Sequence, residues 1–338
     1  MRHSAIYFVE QITSELSADS FELIFCTDFL NVAEFKGLLP NRFRQKPLVV
    51  YFHENQFNYP TQVNDPRDLN YAFTNFTSCL AADAVWFNSQ YHRTSFMNEL
   101  SQACQSWPDF PPTQAIDSIP SKSSVQHPGL NLENSTRENT PPTDQSPLRI
   151  LWAARWEHDK NPELLLEGLR HLQNLQVPFQ LDVLGESFRQ TPQAFSTIKT
   201  EFSEHINRWG FQSAADYQLA LHSNDVFVST ANHEFFGIAA AEAIVAGNIP
   251  MLPNRLAYPE LINLLECPNR EQCFLYDGTP RHLADRLNDL WRCRLADPLE
   301  SARKSLQAEL SARFKWETRA PLMDDEIERI SASDSLIG

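Results

Sequence analysis

Apolar positions in the first hundred residues switch between helical spacing and short continuous runs. From Ile6 to Leu16 an apolar residue recurs every three or four positions, which predicts an amphipathic helix over 4–17. The following segments continue the pattern: strands at 21–25, 47–52 and 84–87, and helices at 68–82 and 90–103. Strands that alternate with helices indicate βαβ units and a parallel sheet.

The same alternation returns at Leu148 and runs through the second half of the chain. It predicts strands at 148–153, 179–184, 225–229, 249–252 and 273–276, and helices at 162–172, 213–222 and 237–246, with three more helices after 280. We therefore expect an α/β protein with two Rossmann-like halves.

The periodicity is lost between Ser106 and Pro147, where proline, serine, threonine and asparagine dominate. The domains we predict are 1–138, a linker at 139–147, and 148–338. The first domain opens in a helix instead of a strand and a glycine-rich turn. We expect it to lack its first strand and glycine loop; a domain that never had this unit is the alternative.

Composition narrows the class of protein. The chain has 338 residues, enough for two domains, and its 42% of hydrophobic residues fits a globular protein. The six cysteines are scattered without a C-x-x-C pair, which favours reduced, buried thiols. No apolar run approaches the length of a membrane span, and the first residues do not have the pattern of a signal peptide, so we expect a cytoplasmic protein without membrane contact.

The formal net charge of −15 disfavours non-specific binding to nucleic acid, because phosphate contacts need clustered cations. A local basic patch is still conceivable at Arg42, Arg44 and Lys46. A plain solvated loop is the favoured interpretation of that segment.

Two carboxylates bracket a turn and an alanine-rich helix in the second half. Glu234 comes before Phe236 and Gly237, and Glu242 lies on the helix that follows. A helix start near Gly237 places Glu242 roughly 8 Å along the axis, so the pair can hold two ends of one polar ligand. A solvated helix is the alternative, but a carboxylate among small and apolar neighbours needs a partner. This pattern indicates an enzyme that uses a nucleotide sugar.

Arg155 and Lys160 lie between a predicted strand and a predicted helix. A loop at the carboxyl end of a strand that leads into a helix is a natural phosphate site. The two cations can neutralise a diphosphate leaving group. Surface pairing with Glu157 or Asp159 is the alternative, and the carboxylate pair in the same half favours phosphate binding.

Polar residues also follow the strands of the first half, where ligands of parallel sheets bind. His53, Glu54, Asn55 and Gln56 come directly after a buried strand, and His53 is the candidate for contact with a transferred sugar. A hydrogen-bonded loop histidine is an equally good interpretation of this tetrad taken alone.

Two weaker signals follow other strands. Asn88 and Ser89 come after the strand at 84–87, and Gly185 and Glu186 come after the strand at 179–184, where the backbone could approach a nucleotide. The chain has no D-x-D, H-E-x-x-H, P-loop or G-x-G-x-x-G motif. We therefore expect no metal and no cofactor.

The spacing of these residues resembles a known family. Arg155-x-x-x-x-Lys160, Gly185-Glu186 and Glu234-x-Phe236-Gly237-x-x-x-x-Glu242 resemble the retaining GT-B glycosyltransferases of family 4. The further matches lie in the first half and resemble the tRNA-queuosine α-mannosyltransferase group: Arg2-His3-Ser4-Ala5, Tyr51-Phe52-His53-Glu54-Asn55-Gln56 and Phe87-Asn88-Ser89.

The resemblance implies a GT-B fold with two Rossmann-like domains that face a cleft. It implies a retaining hexosyltransferase that moves mannose from GDP-mannose to queuosine in tRNA-Asp. Arg155 and Lys160 would hold the diphosphate, and Glu242 would hold the ribose. Glu234 would contact the hexose with the backbone after Phe236, at Gly237 and Ile238; His53 would lie beside the reacting sugar.

Two departures keep other functions open. Family members begin with a strand and a Gly-Gly-Ser-His-like loop that this sequence does not show, and the acidic charge is unusual for a partner of tRNA. The alternatives are a GT-B enzyme with another donor and acceptor, such as a UDP-sugar with a lipid or a small metabolite, and a donor-binding protein without catalysis.

Overall fold

The computed structural model describes residues 3–57, 69–105, 111–131, 143, 146–187, 191–263, 273–293, 295 and 297–334. The chain divides into two compact units, one formed by Met1–Pro128 with Glu317–Gly338 and the other by Gly129–Trp316. This division differs from the predicted domains, which left the last helix with the second half. Within the predicted linker, residues 139–142 and 144–145 lie outside the described residues.

The first unit is built on a parallel sheet whose strands lie in the order β1-β2-β3-β4. The strands are β1 (Ile24–Thr27), β2 (Leu48–Phe52), β3 (Ala84–Phe87) and β4 (Ser123–Val125). The helices are α1 (Ser4–Glu15), α2 (Val32–Leu38), α3 (Asn41–Arg44), α4 (Leu69–Ala81), α5 (Gln90–Gln105) and α6 (Thr113–Ser118). The strand predicted at 21–25 begins and ends later than expected.

Both faces of this sheet are covered, which explains why the last helix belongs to the first unit. One face packs on the core formed with α1, α2, α4 and α5. The other face presents Val49, Tyr51 and Trp86, and Met323 packs against them. Met323 lies on the long C-terminal helix, Trp316–Asp334. A helix with this contact completes the core of the first sheet, although the sequence places it after the second half.

The second unit contains a six-stranded parallel sheet in the order β10-β9-β8-β5-β6-β7. Its strands are β5 (Leu148–Ala153), β6 (Phe179–Leu184), β7 (Ile206–Gly210), β8 (Val226–Val228), β9 (Ile249–Pro253) and β10 (Leu275–Tyr276). This is the strand order of a doubly wound Rossmann sheet, with its reversal between β5 and β8. Ligands of such sheets bind outside the carboxyl ends of the two strands at the reversal.

The remaining helices are α7 (Pro162–Asn174), α8 (Gln193–Glu201), α9 (Ala214–Ser223), α10 (Ile238–Val245), α11 (Tyr258–Asn263), α12 (Pro280–Cys293), α13 (Asp297–Phe314) and α14 (Trp316–Asp334). The three predicted helices after 280 are therefore present. Of the helices in the described ranges, none is both long and apolar enough to cross a membrane.

Candidate donor site in the second unit

A pocket that is open to solvent lies at the carboxyl ends of β5 and β8. The side chains that line it include these polar groups: Lys160, Ser229, Glu234 and Tyr258. Gly237 and two alanines of α10 form another part of its wall. The pocket therefore occupies the place where the strand order of this sheet reverses.

Lys160 is the cation of this pocket and is almost fully buried. Its Nζ atom donates a hydrogen bond to the backbone oxygen of His233 at 2.8 Å. The same atom lies 3.1 Å from Oδ2 of Asp159 and 3.6 Å from Oε2 of Glu234. A buried ammonium needs such partners to offset the loss of water. Together they fix the Lys160 ammonium next to the Glu234 carboxylate.

The backbone around Lys160 is tied to the loop after β8. Thr230 donates its side-chain hydroxyl to the backbone oxygen of Lys160 at 2.7 Å, and the Asn232 amide donates to the backbone oxygen of Asp159 at 2.7 Å. Asn161 then adopts a left-handed conformation and caps α7, accepting from the Leu164 amide. These bonds connect the loop after β5 to the loop after β8, and the two loops together form the carboxyl edge of the sheet at the pocket.

His233 lies in this edge and is also buried. The pKa of its imidazole is lowered to about 4, first by burial and then by the Lys160 charge, while Asp159 acts in the opposite direction. The ring is therefore neutral at neutral pH. Its backbone oxygen, and not its ring, is the group that holds Lys160.

Glu234 begins the turn that leads into α10. Its Oε1 atom accepts a hydrogen bond from the Phe235 amide at 3.1 Å, which leaves Oε2 directed to Lys160. Gly237 follows with φ of 88°, and a Cβ at this position would lie 3.0 Å from the Tyr258 ring. Glycine at position 237 therefore permits both the turn and the close packing against Tyr258. The amino end of α10 lies at the pocket, and the amino end of a helix favours a bound anion.

Glu242 lies further along α10, as expected from the sequence, but it does not line the pocket in the described structure. Its Oε2 atom accepts a hydrogen bond from the Tyr217 hydroxyl of α9 at 2.9 Å. Burial raises the pKa of the Glu242 carboxyl, and the hydroxyl donation opposes that rise. The sequence analysis did not predict that Tyr217 would be the partner of the Glu242 carboxylate.

Arg155 and Glu186 are exposed, in contrast to Lys160. The Arg155 guanidinium lies 3.6 Å from Oε2 of Glu157, which is the surface pairing considered as the alternative from the sequence. Glu186 contributes its backbone oxygen, which accepts from the Trp156 amide at 2.9 Å. The structure thus brings Lys160 and Glu234 together and leaves Arg155 at the surface.

Three other predicted donor contacts have distinct surroundings. Phe236 is buried and packs edge-on against Phe314 at 5.4 Å, so its side chain belongs to the core. Ile238 is exposed at the first residue of α10. Gly185 has φ of 150°, and a Cβ there would lie 1.8 Å from the backbone oxygen of Ala154, so the loops after β5 and β6 meet closely at this glycine.

The first unit has its own polar edge, at the carboxyl ends of β1 and β2. The His53 ring is exposed and packs on Tyr51 with centroids 4.3 Å apart. Its backbone amide donates to Oδ1 of Asp28 at 3.0 Å. Asp28 is buried, and desolvation raises the pKa of its carboxyl to about 6. Asp28 is a candidate functional residue that the sequence analysis did not identify.

Three of the polar residues that follow the strands of the first unit have buried side chains that bond to the backbone: Asn55, Asn88 and Ser89. Asn55 accepts from the Phe57 amide at 3.1 Å, and the Asn88 side chain donates to the backbone oxygen of His53 at 3.0 Å. Ser89 accepts from the His92 amide in the first turn of α5. These groups position the edge, while Glu54 and Gln56 are partly exposed there.

Within the described residues, no group of three or more His, Cys, Asp and Glu side chains is arranged to hold a metal ion. The expectation of metal-independent chemistry stays a prediction.

Solved structures share the architecture of this chain. Sucrose-phosphate synthase from Thermosynechococcus elongatus has a TM-score of 0.71 at 17% identity, covering 98% of this chain and 79% of that chain. HepE from Anabaena, solved with UDP and glucose, has a TM-score of 0.65 at 17% identity, covering 96% of this chain and 80% of its own. Together with the two parallel sheets, these similarities define a GT-B fold, and the predicted fold class is confirmed.

The family follows from the sequence comparisons. The family described as tRNA-queuosine alpha-mannosyltransferase N-terminal matches residues 1–130, and the family described as glycosyl transferases group 1 matches residues 135–308. A tRNA-queuosine alpha-mannosyltransferase of Drosophila melanogaster is 35% identical over 267 residues, which are 77% of this chain and 70% of that protein. The chain belongs to the tRNA-queuosine alpha-mannosyltransferase family, and it is a hexosyltransferase; the resemblance and the enzyme class are confirmed.

Proposed function

We propose that this protein transfers mannose from GDP-mannose to queuosine in tRNA-Asp, with retention of anomeric configuration. The observation that carries the proposal is the match of both halves to this family, together with the 35% identical relative that bears this activity in its name. The pocket supports it, because a buried cation and a carboxylate 3.6 Å apart suit a diphosphate next to a sugar.

In the proposed mechanism the bond between the sugar C1 atom and the diphosphate oxygen breaks. The acceptor hydroxyl forms its bond to C1 on the same face, and its proton passes to the departing phosphate oxygen. Lys160 stabilises the negative charge that develops on the diphosphate, with Arg155 as the exposed second cation. Glu234 holds hexose hydroxyls, and the amino end of α10 faces the phosphates.

We also propose that His53, from the first unit, contacts the transferred sugar. The surrounding protein partly desolvates this exposed imidazole and lowers its pKa, so the neutral ring, with one donor and one acceptor, is favoured at neutral pH. We propose that the reaction needs no metal ion and takes place in the cytoplasm.

The test combines the purified protein with isotope-labelled GDP-mannose and tRNA that carries unmodified queuosine. Nucleoside mass spectrometry should show queuosine enlarged by one hexose, and NMR of the product should show the α-anomer. A tRNA without queuosine is the control acceptor, and an arm with a chelator tests metal independence. Transfer from UDP-glucose instead would correct the donor, and donor binding without transfer to any tRNA would refute the enzymatic role on tRNA.

A further inference from the structure

Arg319 is a cation of the first unit that has no acidic partner among the described residues. It lies in the first turn of α14, one helical turn before Met323, so the two side chains share a face of the helix. Because Met323 packs on the sheet, Arg319 lies on the sheet side too, at the carboxyl end of β4. Its Nε atom donates to the backbone oxygen of His127 at 3.0 Å, and Nη2 donates to Oε1 of Gln126 at 3.2 Å. These two bonds fix the guanidinium at the edge of the sheet.

The surroundings of Arg319 do not compensate its charge. Both acceptors are neutral, and Glu317, the nearest acidic residue in sequence, is two positions away on α14, where side chains do not face each other. Burial lowers the pKa of the guanidinium, and Tyr51 opposes that effect. Burial raises the pKa of the Tyr51 hydroxyl, which is therefore uncharged at neutral pH, whereas arginine stays protonated. A half-buried cation without a counter-charge favours an anionic ligand.

Arg319 belongs to the same edge of the first sheet as His53. The Tyr51 hydroxyl donates to the backbone oxygen of Gln126, and the His53 ring packs on Tyr51 with centroids 4.3 Å apart. Only β3 separates β2 from β4, so the loops after β2 and β4 are roughly 10 Å apart. The side chains of Gln126, His127 and Arg319 are partly exposed there. One ligand at this carboxyl edge can therefore contact both loops.

We propose that Arg319 binds a backbone phosphate of the RNA chain next to the acceptor nucleoside. The inference rests on the proposed function, in which that nucleoside lies beside His53. A nucleoside within RNA carries a phosphate on either side, so its approach to His53 also brings phosphates to this edge. The planar guanidinium fork matches phosphate oxygens in geometry and charge. In a chain with a net charge of −15, such placed cations supply the attraction for RNA that the overall charge does not.

The test measures the affinity of the purified protein for fluorescently labelled tRNA at several salt concentrations. Loss of one phosphate contact reduces the magnitude of the slope of log K against log salt by about 0.7–0.9. Arg319→Gln should show this reduction and bind about tenfold more weakly at low salt, equally for tRNA with and without queuosine. Arg42→Gln is the matched control, because it removes an exposed arginine that precedes β2 at the amino end of the same sheet. It should leave the slope and the affinity unchanged.

Gln126→Glu separates the charge of Arg319 from its structural role. The glutamate can still accept from Arg319, so the bond between α14 and the loop after β4 is kept while the positive charge is neutralised. This variant should reduce the slope at least as much as Arg319→Gln does, and it decides the question alone if Arg319→Gln does not fold. A wild-type slope in Gln126→Glu overturns the inference. A slope that responds to Arg42→Gln but not to Arg319→Gln overturns it too.

Calorimetry with GDP and UDP identifies the source of the phosphate. Arg319→Gln should bind the nucleotide as tightly as wild type does. A loss of nucleotide affinity with unchanged binding of tRNA would assign Arg319 to the donor and overturn the inference, as would a wild-type protein without affinity for tRNA.

A transfer assay on the same proteins distinguishes this inference from the proposed function. A protein that binds tRNA through Arg319 but transfers no sugar to it would refute the function and leave the inference standing. Sugar transfer to tRNA, with wild-type salt dependence in Arg319→Gln and Gln126→Glu, would do the opposite.

Discussion

The Nζ atom of Lys160 lies 3.6 Å from Oε2 of Glu234, although the two residues are far apart in sequence. The contact exists because β5 and β8 are neighbours at the reversal of the strand order, so the loops that follow them meet. The remaining contacts of Lys160, to Asp159 and the backbone of His233, fix the ammonium before any ligand arrives.

Replacement of Lys160 should lower turnover, and it should also lower stability because it leaves the buried Asp159 carboxylate without its cation. For Lys160→Met we expect kcat for sugar transfer to fall by about 100-fold to 1,000-fold, the usual effect of removing one group that stabilises developing charge. Lys304→Ala, at an exposed lysine of α13, should leave kcat unchanged. Steady-state kinetics gives kcat for each variant, and thermal unfolding shows whether each variant is folded. Wild-type kcat in a folded Lys160→Met protein would remove Lys160 from the mechanism.

Asp28 should make the folded state less stable as the pH rises from about 4 to about 6. Its pKa is raised from 3.8 to about 6, so in this window the folded state binds more protons than the unfolded state, and the free energy of unfolding falls with pH. Asp28→Asn keeps an oxygen that can accept from the His53 amide. Relative to wild type, this variant should gain up to about 3 kcal/mol between pH 4 and pH 7, measured by urea unfolding. A pH-independent difference between the two proteins would contradict the raised pKa.

His233 should act in the opposite direction over a similar range. Its pKa is lowered from 6.5 to about 4, so the unfolded state binds the extra proton, and stability is lost as the pH falls from about 6.5 to about 4. His233→Gln should remove this dependence, while its backbone oxygen still accepts from Lys160. His282, an exposed residue of α12, offers the control variant His282→Gln. Equal acid sensitivity of wild type and His233→Gln would show that the ring is not the titrating group.

Gly185 should not tolerate a side chain. A Cβ at its φ of 150° would lie 1.8 Å from the backbone oxygen of Ala154, so the loop after β5 would have to move. We expect Gly185→Ala to lower the free energy of unfolding by about 2 kcal/mol or more and to weaken nucleotide binding. Gly37 lies inside α2 with open space around it, so Gly37→Ala should raise stability by about 0.5–1 kcal/mol. Similar unfolding curves for these two variants would argue against the close approach.

The buried strands were the part of the fold that the sequence predicted best. The segments 84–87, 148–153 and 179–184 have the predicted bounds, because each is a mostly apolar run between polar or turn residues. β7, at Ile206–Gly210, was missed since it is an edge strand of mixed polarity, whose Arg208 pairs with buried Asp182. Edge strands carry a weaker pattern because only part of their surface meets the core.

The sequence analysis likewise predicted some residues of the candidate site and missed others. Lys160 and Glu234 were found because each belongs to a spaced motif at the carboxyl end of a strand. Asp28 follows a strand whose end was placed too early, so it was assigned to a loop and passed over. The Tyr217–Glu242 bond depends on the packing of two helices and leaves no local pattern in the sequence.

The chain leaves the first unit after Pro128 and re-enters it at Glu317, where α14 supplies Met323 to the sheet face around Trp86. A gene fragment that stops at residue 128 would therefore encode a half-covered sheet prone to aggregation. Residues 129–316 form an uninterrupted stretch and are the better choice for isolated expression. To obtain the amino-terminal half alone, one would splice the final helix directly behind residue 128 with a short flexible tether.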